Sequence, residues 1–178
     1  MHEYPKVHFN VASWNLLITK VFNLRNLSVS KIMEQDYTEH KTTHPWGYEI
    51  FFLKDRKKEG VCKSYNNNGV LLSISNYKNG KLDGEYRSFY QNGLPEIICN
   101  YKNGLLNGKY ERTTKYGREE HIYVDGKKHG YAVVYHNNGK LWIDTSYIND
   151  MLDGPYISFN EDGTERFCRY YSKGVRQI

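Results

Sequence analysis

Residues 84–107 read GEYRSFYQNGLPEIICNYKNGLLN, and this stretch is the unit from which most of the chain is built. Nine residues after its opening glycine comes the glycine of an Asn-Gly pair, and a tyrosine stands at offset 17. Related units recur at steps of 24, 24, 22 and 24 residues, opening at Gly60, Gly84, Gly108, Gly130 and Gly154. Self-similarity at a fixed period is the signature of a repeat architecture.

The turn signals predict that each unit is a β-hairpin. Asn-Gly and Asp-Gly pairs suit a two-residue type I′ turn, because both central residues need a positive φ. If Asn92-Gly93 is such a turn, Gln91 faces Leu94, Tyr86 faces Cys99 and Gly84 faces Tyr101. A tyrosine ring across from a glycine covers exposed backbone, which explains why the two recur together.

A second turn links each unit to the next, with the form Tyr-Lys-Asn-Gly-x-Leu-Asp-Gly. If Gly80 faces Asp83 there, the units join through tyrosine pairs, namely Tyr77 with Tyr86, Tyr101 with Tyr110 and Tyr147 with Tyr156. We expect this face to be the better packed, concave one. The opposite face pairs offset 5 with offset 12. The candidate interaction surface is Tyr77, Tyr86, Tyr101, Tyr110, Tyr123, Tyr147, Tyr156 and Tyr171, although cross-strand aromatic pairs also serve as the hydrophobic layer of a sheet.

The third unit is two residues short, with its turn at Tyr116-Gly117. A loss of one residue would move every following side chain to the other face, whereas a loss of two keeps the alternation. On this count Tyr123 faces Tyr110.

Residues 1–45 do not repeat. Ser13 is a candidate N-cap, and apolar residues then recur at helical spacing from Trp14 to Phe22. The segment is interpreted as a helical cap over the first edge of the sheet, since repeat arrays need atypical ends. A partner-binding or membrane-surface helix is the alternative. Residues 38–46 are interpreted as a linker, and His40 and His44 as surface histidines rather than a metal site.

Composition and charge argue against several classes of protein. The 178 residues carry a net charge of +5 with both signs interleaved, which favours a solvated surface over a nucleic-acid site. Seventeen tyrosines argue against disorder. Cys62, Cys99 and Cys168 are interpreted as semi-buried strand residues in a reducing compartment. Neither a transmembrane helix nor a signal peptide is expected, so a cytoplasmic location is predicted.

The pattern Tyr-x-Asn-Gly-x-x-x-Gly-x-Tyr, carried by residues 77–86 and 101–110 and partly by Tyr171 and Gly174, resembles MORN repeats. It is closer to the variant class of bacterial antitoxin-like proteins and large viral genomes. Departures are Asp150 in place of a turn glycine, and Ala132 and Cys62 in place of tyrosine. The resemblance implies an elongated, twisted antiparallel sheet of hairpins that binds proteins or membrane lipids.

The predicted fold is therefore all-β: a single-layer array over 46–178, with a half unit at 46–59, preceded by the cap. Cell-wall-binding solenoids and leucine-rich repeats fit the period but not the residues. Nucleophile, phosphate-loop and metal motifs are not recognised in the sequence, so neither enzyme activity nor a cofactor is expected. The predicted function is a module that binds another protein. Two alternatives remain, an antitoxin or immunity protein that masks a toxin, and peripheral binding to anionic membranes through Lys127, Lys128 and the cap helix.

Overall fold

The structure, a computed structural model, describes residues 37–178. The predicted cap helix, with its N-cap at Ser13, lies outside these residues. Residues 39–178 form one compact unit. It consists of strands β1 (Thr38–His44), β2 (Gly47–Lys54), β3 (Lys57–Lys58), β4 (Gly60–Asn66), β5 (Leu71–Lys78), β6 (Lys81–Phe89), β7 (Pro95–Lys102), β8 (Leu105–Thr114), β9 (Gly117–Val124), β10 (Lys127–His136), β11 (Leu141–Ile148), β12 (Met151–Phe159), β13 (Glu165–Ser172) and β14 (Val175–Arg176).

All fourteen strands described belong to one open sheet, in which consecutive strands from β4 to β14 are antiparallel neighbours. β3 pairs with the end of β2, and β4 continues alongside the start of β2. The all-β hairpin array predicted from the repeat is confirmed. Residues 38–44 form strand β1, so the prediction of a linker at 38–46 is wrong.

The hairpin loops within the units are not type I′ turns. In the second unit the Gly93 amide donates to the Tyr90 carbonyl and the Tyr90 amide donates to the Leu94 carbonyl, at 2.9 Å each. Gly93 has φ 81°, whereas Asn92 keeps a negative φ. This geometry is a three-residue loop with a left-handed glycine at its end. Asn92 contributes its side chain instead, because its Oδ1 accepts a hydrogen bond from the Leu94 amide at 3.0 Å.

A β-bulge restores the register that the longer loop displaces. Phe89 pairs with Pro95 and Ser88 pairs with Ile97, so Glu96 is the extra residue. Beyond the bulge, Gly84 faces Tyr101 and Tyr86 faces Cys99, as predicted, while the predicted pairing of Gln91 with Leu94 is wrong. The same bulge recurs at offset 12 in the other full units, at Leu72, Trp142 and Arg166. Offset 5 therefore pairs with offset 11, and its predicted pairing with offset 12 is wrong.

The type I′ turns are the turns that link the units. Asn79 and Gly80 both have positive φ, at 51° and 81°, and Lys78 pairs directly with Lys81. The predicted pairing of Gly80 with Asp83 is therefore wrong. Asp150, where a turn glycine was expected, adopts φ 68° and keeps the same turn. These linking turns stack along one edge of the sheet, since the Gly104 amide donates to the Leu82 carbonyl at 2.7 Å.

Carboxylates at the end of one unit bind the next linking turn. Asp83 Oδ2 accepts a hydrogen bond from the Asn103 amide at 3.0 Å, and Glu59 Oε2 accepts one from the Asn79 amide at 2.6 Å. Asp153 does the same for the Lys173 amide. These acidic side chains satisfy backbone donors that the turn would otherwise leave to water.

Candidate functional site

The predicted tyrosines lie on one face of the sheet. Residues that face each other across antiparallel strands project to the same side, and successive residues alternate. The pairs Gly84 with Tyr101, Tyr86 with Cys99, and Cys99 with Tyr110 place these tyrosines together. The register extends this assignment to the whole predicted set, which we call the tyrosine face: Tyr77, Tyr86, Tyr101, Tyr110, Tyr123, Tyr147, Tyr156 and Tyr171.

The tyrosine face carries nearly all of the buried residues described. One row of directly facing residues crosses ten strands along its middle: Cys62, Ser75, Tyr86, Cys99, Tyr110, His121, Ala132, Thr145, Tyr156 and Arg169. Its small members are buried, and Cys99 is only 1% exposed. The tyrosine face is therefore the better packed one, as expected; its concavity stays a prediction. The core of this sheet is a strip of small side chains between half-buried rings.

The tyrosine rings form pairs within hairpins, not across the linking turns. The ring centroids of Tyr86 and Tyr101 are 6.0 Å apart, and those of Tyr156 and Tyr171 are 6.3 Å apart, both edge to face. Edge-to-face packing is a favourable arrangement of aromatic quadrupoles. The register prevents the predicted pairs, because Tyr77 faces Leu82 and Tyr86 faces Ser75.

The other two predicted pairs fail in the same way, since Tyr101 faces Leu106 and Tyr147 faces Leu152. The bulge that follows each linking turn is responsible, because it places extra residues such as Asp83 and Gly84 opposite a single residue of the preceding strand.

The short third hairpin keeps its tyrosine on the tyrosine face. It lacks both the third loop residue and the bulge residue of the full hairpins. Thr114 pairs with Gly117, and the β8–β9 pairing then runs without a register shift to Gly108 and Tyr123. The predicted conservation of side-chain parity is confirmed. The predicted pairing of Tyr123 with Tyr110 is wrong, because Tyr110 faces His121, although the two tyrosine rings still meet edge to face at 5.7 Å.

His121 is the residue on this face that sequence reasoning missed. It is 7% exposed, and its ring lies 6.0 Å from Tyr110 and 6.3 Å from Tyr123. Its Nε2 lies 3.3 Å from Glu119 Oε2, while Nδ1 finds no hydrogen-bond partner among the described residues. Burial, and then the charge of Lys128, lower the pKa of His121. A correct register for the short hairpin would have placed it beside the tyrosines.

Burial also changes the acidity of the tyrosine hydroxyls. It raises the pKa of Tyr86, Tyr101, Tyr123 and Tyr147, and raises that of Tyr110 to about 12. The hydroxyls of these rings therefore remain protonated at neutral pH. They can donate hydrogen bonds, but they do not offer a phenolate nucleophile.

Lysine stems cover two further rings of the face. Lys58 Nζ lies 5.1 Å from the centre of the Tyr77 ring, and Lys128 Nζ lies 5.2 Å from that of Tyr147. Leu82 and Leu152 face these same two tyrosines across the linking turns. Each ring is therefore contacted by a cation from the preceding linking turn and also faces a leucine across its own turn.

The opposite face mixes charged and apolar residues, since Arg87 faces Ile98 and Glu120 faces Val133. Glu120, the buried carboxylate on that side, forms ion pairs with Lys109 at 3.1 Å and with Arg118 at 2.9 Å. Cys168 also lies there and is exposed, so its interpretation as a semi-buried residue is wrong, whereas Cys62 and Cys99 are buried. All three thiols are free.

Metal and membrane features were sought in the part of the chain that the structure describes. Residues 37–178 hold no group of three or more His, Cys, Asp or Glu side chains placed to bind a metal ion. His40 instead stacks on Phe51, and His44 on Trp46. Over the same residues, no helix is long and apolar enough to span a membrane.

Comparison with known families agrees with the hairpin geometry. The sequence model of the MORN repeat variant matches residues 58–79, 82–103 and 128–149. The chain contains MORN repeats. No curated protein matches it. The short third hairpin falls between the matched segments, yet it keeps the facing pair of Gly108 and Tyr123. MORN repeats generally bind proteins or membrane lipids, and typically act as binding modules rather than enzymes.

Proposed function

We propose that this protein is a non-enzymatic interaction module that binds another protein through the tyrosine face. The observation that supports this most directly is the alignment of eight half-buried tyrosines on one face of a single-layer sheet. Tyrosine supplies a large, rigid contact area with a polar tip, and it is enriched at protein interfaces. The edge-to-face pairs hold the rings in fixed positions, which reduces the entropy lost when a partner binds.

Affinity purification from cells that naturally express the protein tests this proposal. The Tyr77→Ala/Tyr147→Ala variant removes two rings that lie outside the tyrosine pairs. The matched control is Tyr131→Ala/Tyr170→Ala, since both of these rings are on the opposite face and are 51% and 61% exposed. A partner that is retained by the wild type and the control, and lost with the tyrosine-face variant, supports the proposal. Equal retention by all three proteins contradicts it.

Two narrower functions are kept as proposals. The first is an antitoxin or immunity role, in which the bound protein is a toxin. A neighbouring gene that encodes a toxin-like protein would support this role, and the absence of such a gene would count against it. The second is binding to anionic membranes through Lys127 and Lys128. The ammonium group of Lys128 already lies 5.2 Å from the centre of the Tyr147 ring, so Lys127 would carry most of this attraction. Salt-sensitive binding to phosphatidylserine vesicles is the test, and a failure to bind at low salt would remove it.

The three free thiols fit a reducing compartment, and we propose a cytoplasmic location on that basis. Imaging of a fluorescent fusion in the natural host tests it. Accumulation outside the cytoplasm would contradict the proposal.

A further inference from the structure

The linking turns at the N-terminal end of the described sheet surround an open concavity of about 740 Å³. Four lysines from three successive turns line it: Lys57, Lys78, Lys81 and Lys102. We call this concavity the lysine basin. Asp83 is the one carboxylate in its lining, and it is engaged with the Asn103 amide. The basin therefore presents a surplus of positive charge.

Two of these lysines face each other directly. Lys78 is the cross-strand partner of Lys81, and the preceding turn pairs Lys54 with Lys57 in the same way. Like charges directly opposite each other destabilise a sheet. The fold does not need them, because the same turn forms with Ile148 facing Met151.

The number of lysines at the facing positions of the linking turns decreases from the N-terminal to the C-terminal end of the described sheet. After the two lysine–lysine pairs, the facing residues are Lys102 with Leu105, Val124 with Lys127, Ile148 with Met151, and Ser172 with Val175. Positive charge is concentrated where the concavity lies. A local, destabilising concentration of charge is better explained by an anionic ligand than by general solubility.

Two of these lysines lie near the turn that follows their own. A Cβ added at Gly80 would meet the Lys57 stem at 3.5 Å, and one added at Gly104 would meet the Lys81 stem at 4.0 Å. The turn amides are already used, since Asn79 donates to Glu59 and Gly104 donates to the Leu82 carbonyl. The lysine ammonium groups are thus the cationic donors that the basin offers to a ligand. Among residues 37–178, none forms an ion pair with the four basin lysines.

We propose that the lysine basin binds an extended acidic segment of a partner protein. Successive linking turns are two strands apart, about 10 Å at the usual strand spacing. In a polyproline-II segment, an extended form with three residues per turn and a rise of about 3.1 Å per residue, carboxylates three residues apart project to the same side, about 9 Å from each other. Adjacent strands rotate by roughly 20–25°, so a flexible segment can follow several turns, whereas a flat bilayer meets only a few. This inference rests on the proposed function in that the ligand is protein, but it uses a different surface.

A direct binding measurement on the full chain tests the proposal. The probe is a fluorescein-labelled 12-residue peptide with glutamate at every third position and serine or glycine elsewhere. Its isomer, with the same glutamates placed consecutively, tests the spacing. We expect fluorescence anisotropy to show binding of the spaced peptide at 50 mM salt, weaker binding of the isomer, and loss of both as salt rises.

Lys81→Glu is the decisive variant, because a loss of peptide binding by this variant cannot be attributed to unfolding. It changes the Lys78–Lys81 pair from like to opposite charges, so its unfolding midpoint should stay the same or rise. Its dissociation constant for the spaced peptide should rise about tenfold, since an attractive contact is replaced by a repulsive one. Lys115→Glu, in the loop at the other edge, changes the net charge equally and should alter the constant less than about twofold.

Three results would overturn the proposal: no binding of the spaced peptide by the wild type, equal weakening by Lys115→Glu, or Lys81-dependent binding to phosphatidylserine vesicles without peptide binding. The two proposals fail separately. If the peptide does not bind but the Tyr77→Ala/Tyr147→Ala variant still loses its partner, only the basin proposal falls. If the peptide binds and that variant keeps every partner, only the role of the tyrosine face falls.

Discussion

Tyr123 faces Gly108 across the third hairpin, although this hairpin is two residues shorter than its neighbours. In a full unit, the equivalent pair of Gly84 and Tyr101 encloses a three-residue loop and a β-bulge. The short hairpin lacks one residue of each, and closes with Lys115 and Tyr116 alone. The deletion therefore leaves the tyrosine on the correct face and opposite the correct glycine. Facing the opening glycine of its hairpin, rather than another tyrosine, is what this tyrosine does in all five hairpins.

The ring contact between Tyr110 and Tyr123 should be measurable as a coupling energy. A double-mutant cycle with Tyr110→Ala and Tyr123→Ala should give about 0.5–1.5 kcal/mol in urea unfolding, as aromatic pairs do. The pair Tyr101 and Tyr110, which the sequence count would place face to face, should couple by less than about 0.5 kcal/mol. The reverse ranking would show that the linking turns have the register predicted from sequence, and not the observed one.

Gly117 should be the glycine of the short hairpin that tolerates alanine least. Its φ is 142°, and an added Cβ would overlap with the carbonyl oxygen of Tyr135 on the neighbouring strand. We expect Gly117→Ala to cost about 3 kcal/mol or more in free energy of unfolding. Gly93→Ala is the matched control. Its φ is 81° and an added Cβ meets open space among the described residues, so the cost should be about 1 kcal/mol. Equal costs measured by urea unfolding would contradict this account.

The repeat period, the hairpins and the face of every predicted tyrosine could be derived from sequence, because a period of two survives small errors in turn geometry. The turn types could not. Asn92-Gly93 and Asn79-Gly80 look alike in sequence, yet the first ends a three-residue loop and the second is a type I′ turn. In the hairpin, the loop is one residue longer than predicted. The bulge at Glu96 compensates for this extra residue, so the register predicted beyond the bulge is correct. In the linking turn, the error is not cancelled, and every predicted tyrosine pair failed.

The lysine basin shows the same dependence on turn geometry. Once Asn79-Gly80 is recognised as the turn, Lys78 must face Lys81. With the turn placed two residues later, these lysines are not opposite each other, and no pair of like charges is visible. The buried position of His121 was missed for the same reason, since the predicted register of the short hairpin paired Tyr110 with Tyr123.

Asp83 should contribute to stability through the turn that it contacts rather than through charge. Its Oδ2 accepts a hydrogen bond from the Asn103 amide. Asp83→Ala should cost about 1 kcal/mol in urea unfolding and increase hydrogen exchange at the Asn103 amide. Asp83→Asn keeps an acceptor oxygen and should retain most of the stability. If both variants lost the same amount, a charge effect would be responsible instead.

His121 couples the stability of the tyrosine face to pH. Burial lowers the pKa of His121 in the folded protein below its ordinary value of 6.5, so the unfolded chain binds the proton more tightly. Its contribution is fully present above pH 6.5 and is lost as the pH falls towards the folded-state pKa. The free energy of unfolding of the wild type should therefore fall more steeply between pH 7.5 and 5 than that of His121→Gln. His129→Gln, at an exposed position, is the matched control. Urea unfolding at each pH gives these slopes, and a His121→Gln variant with an unchanged slope would mean that the ring titrates like a solvated histidine.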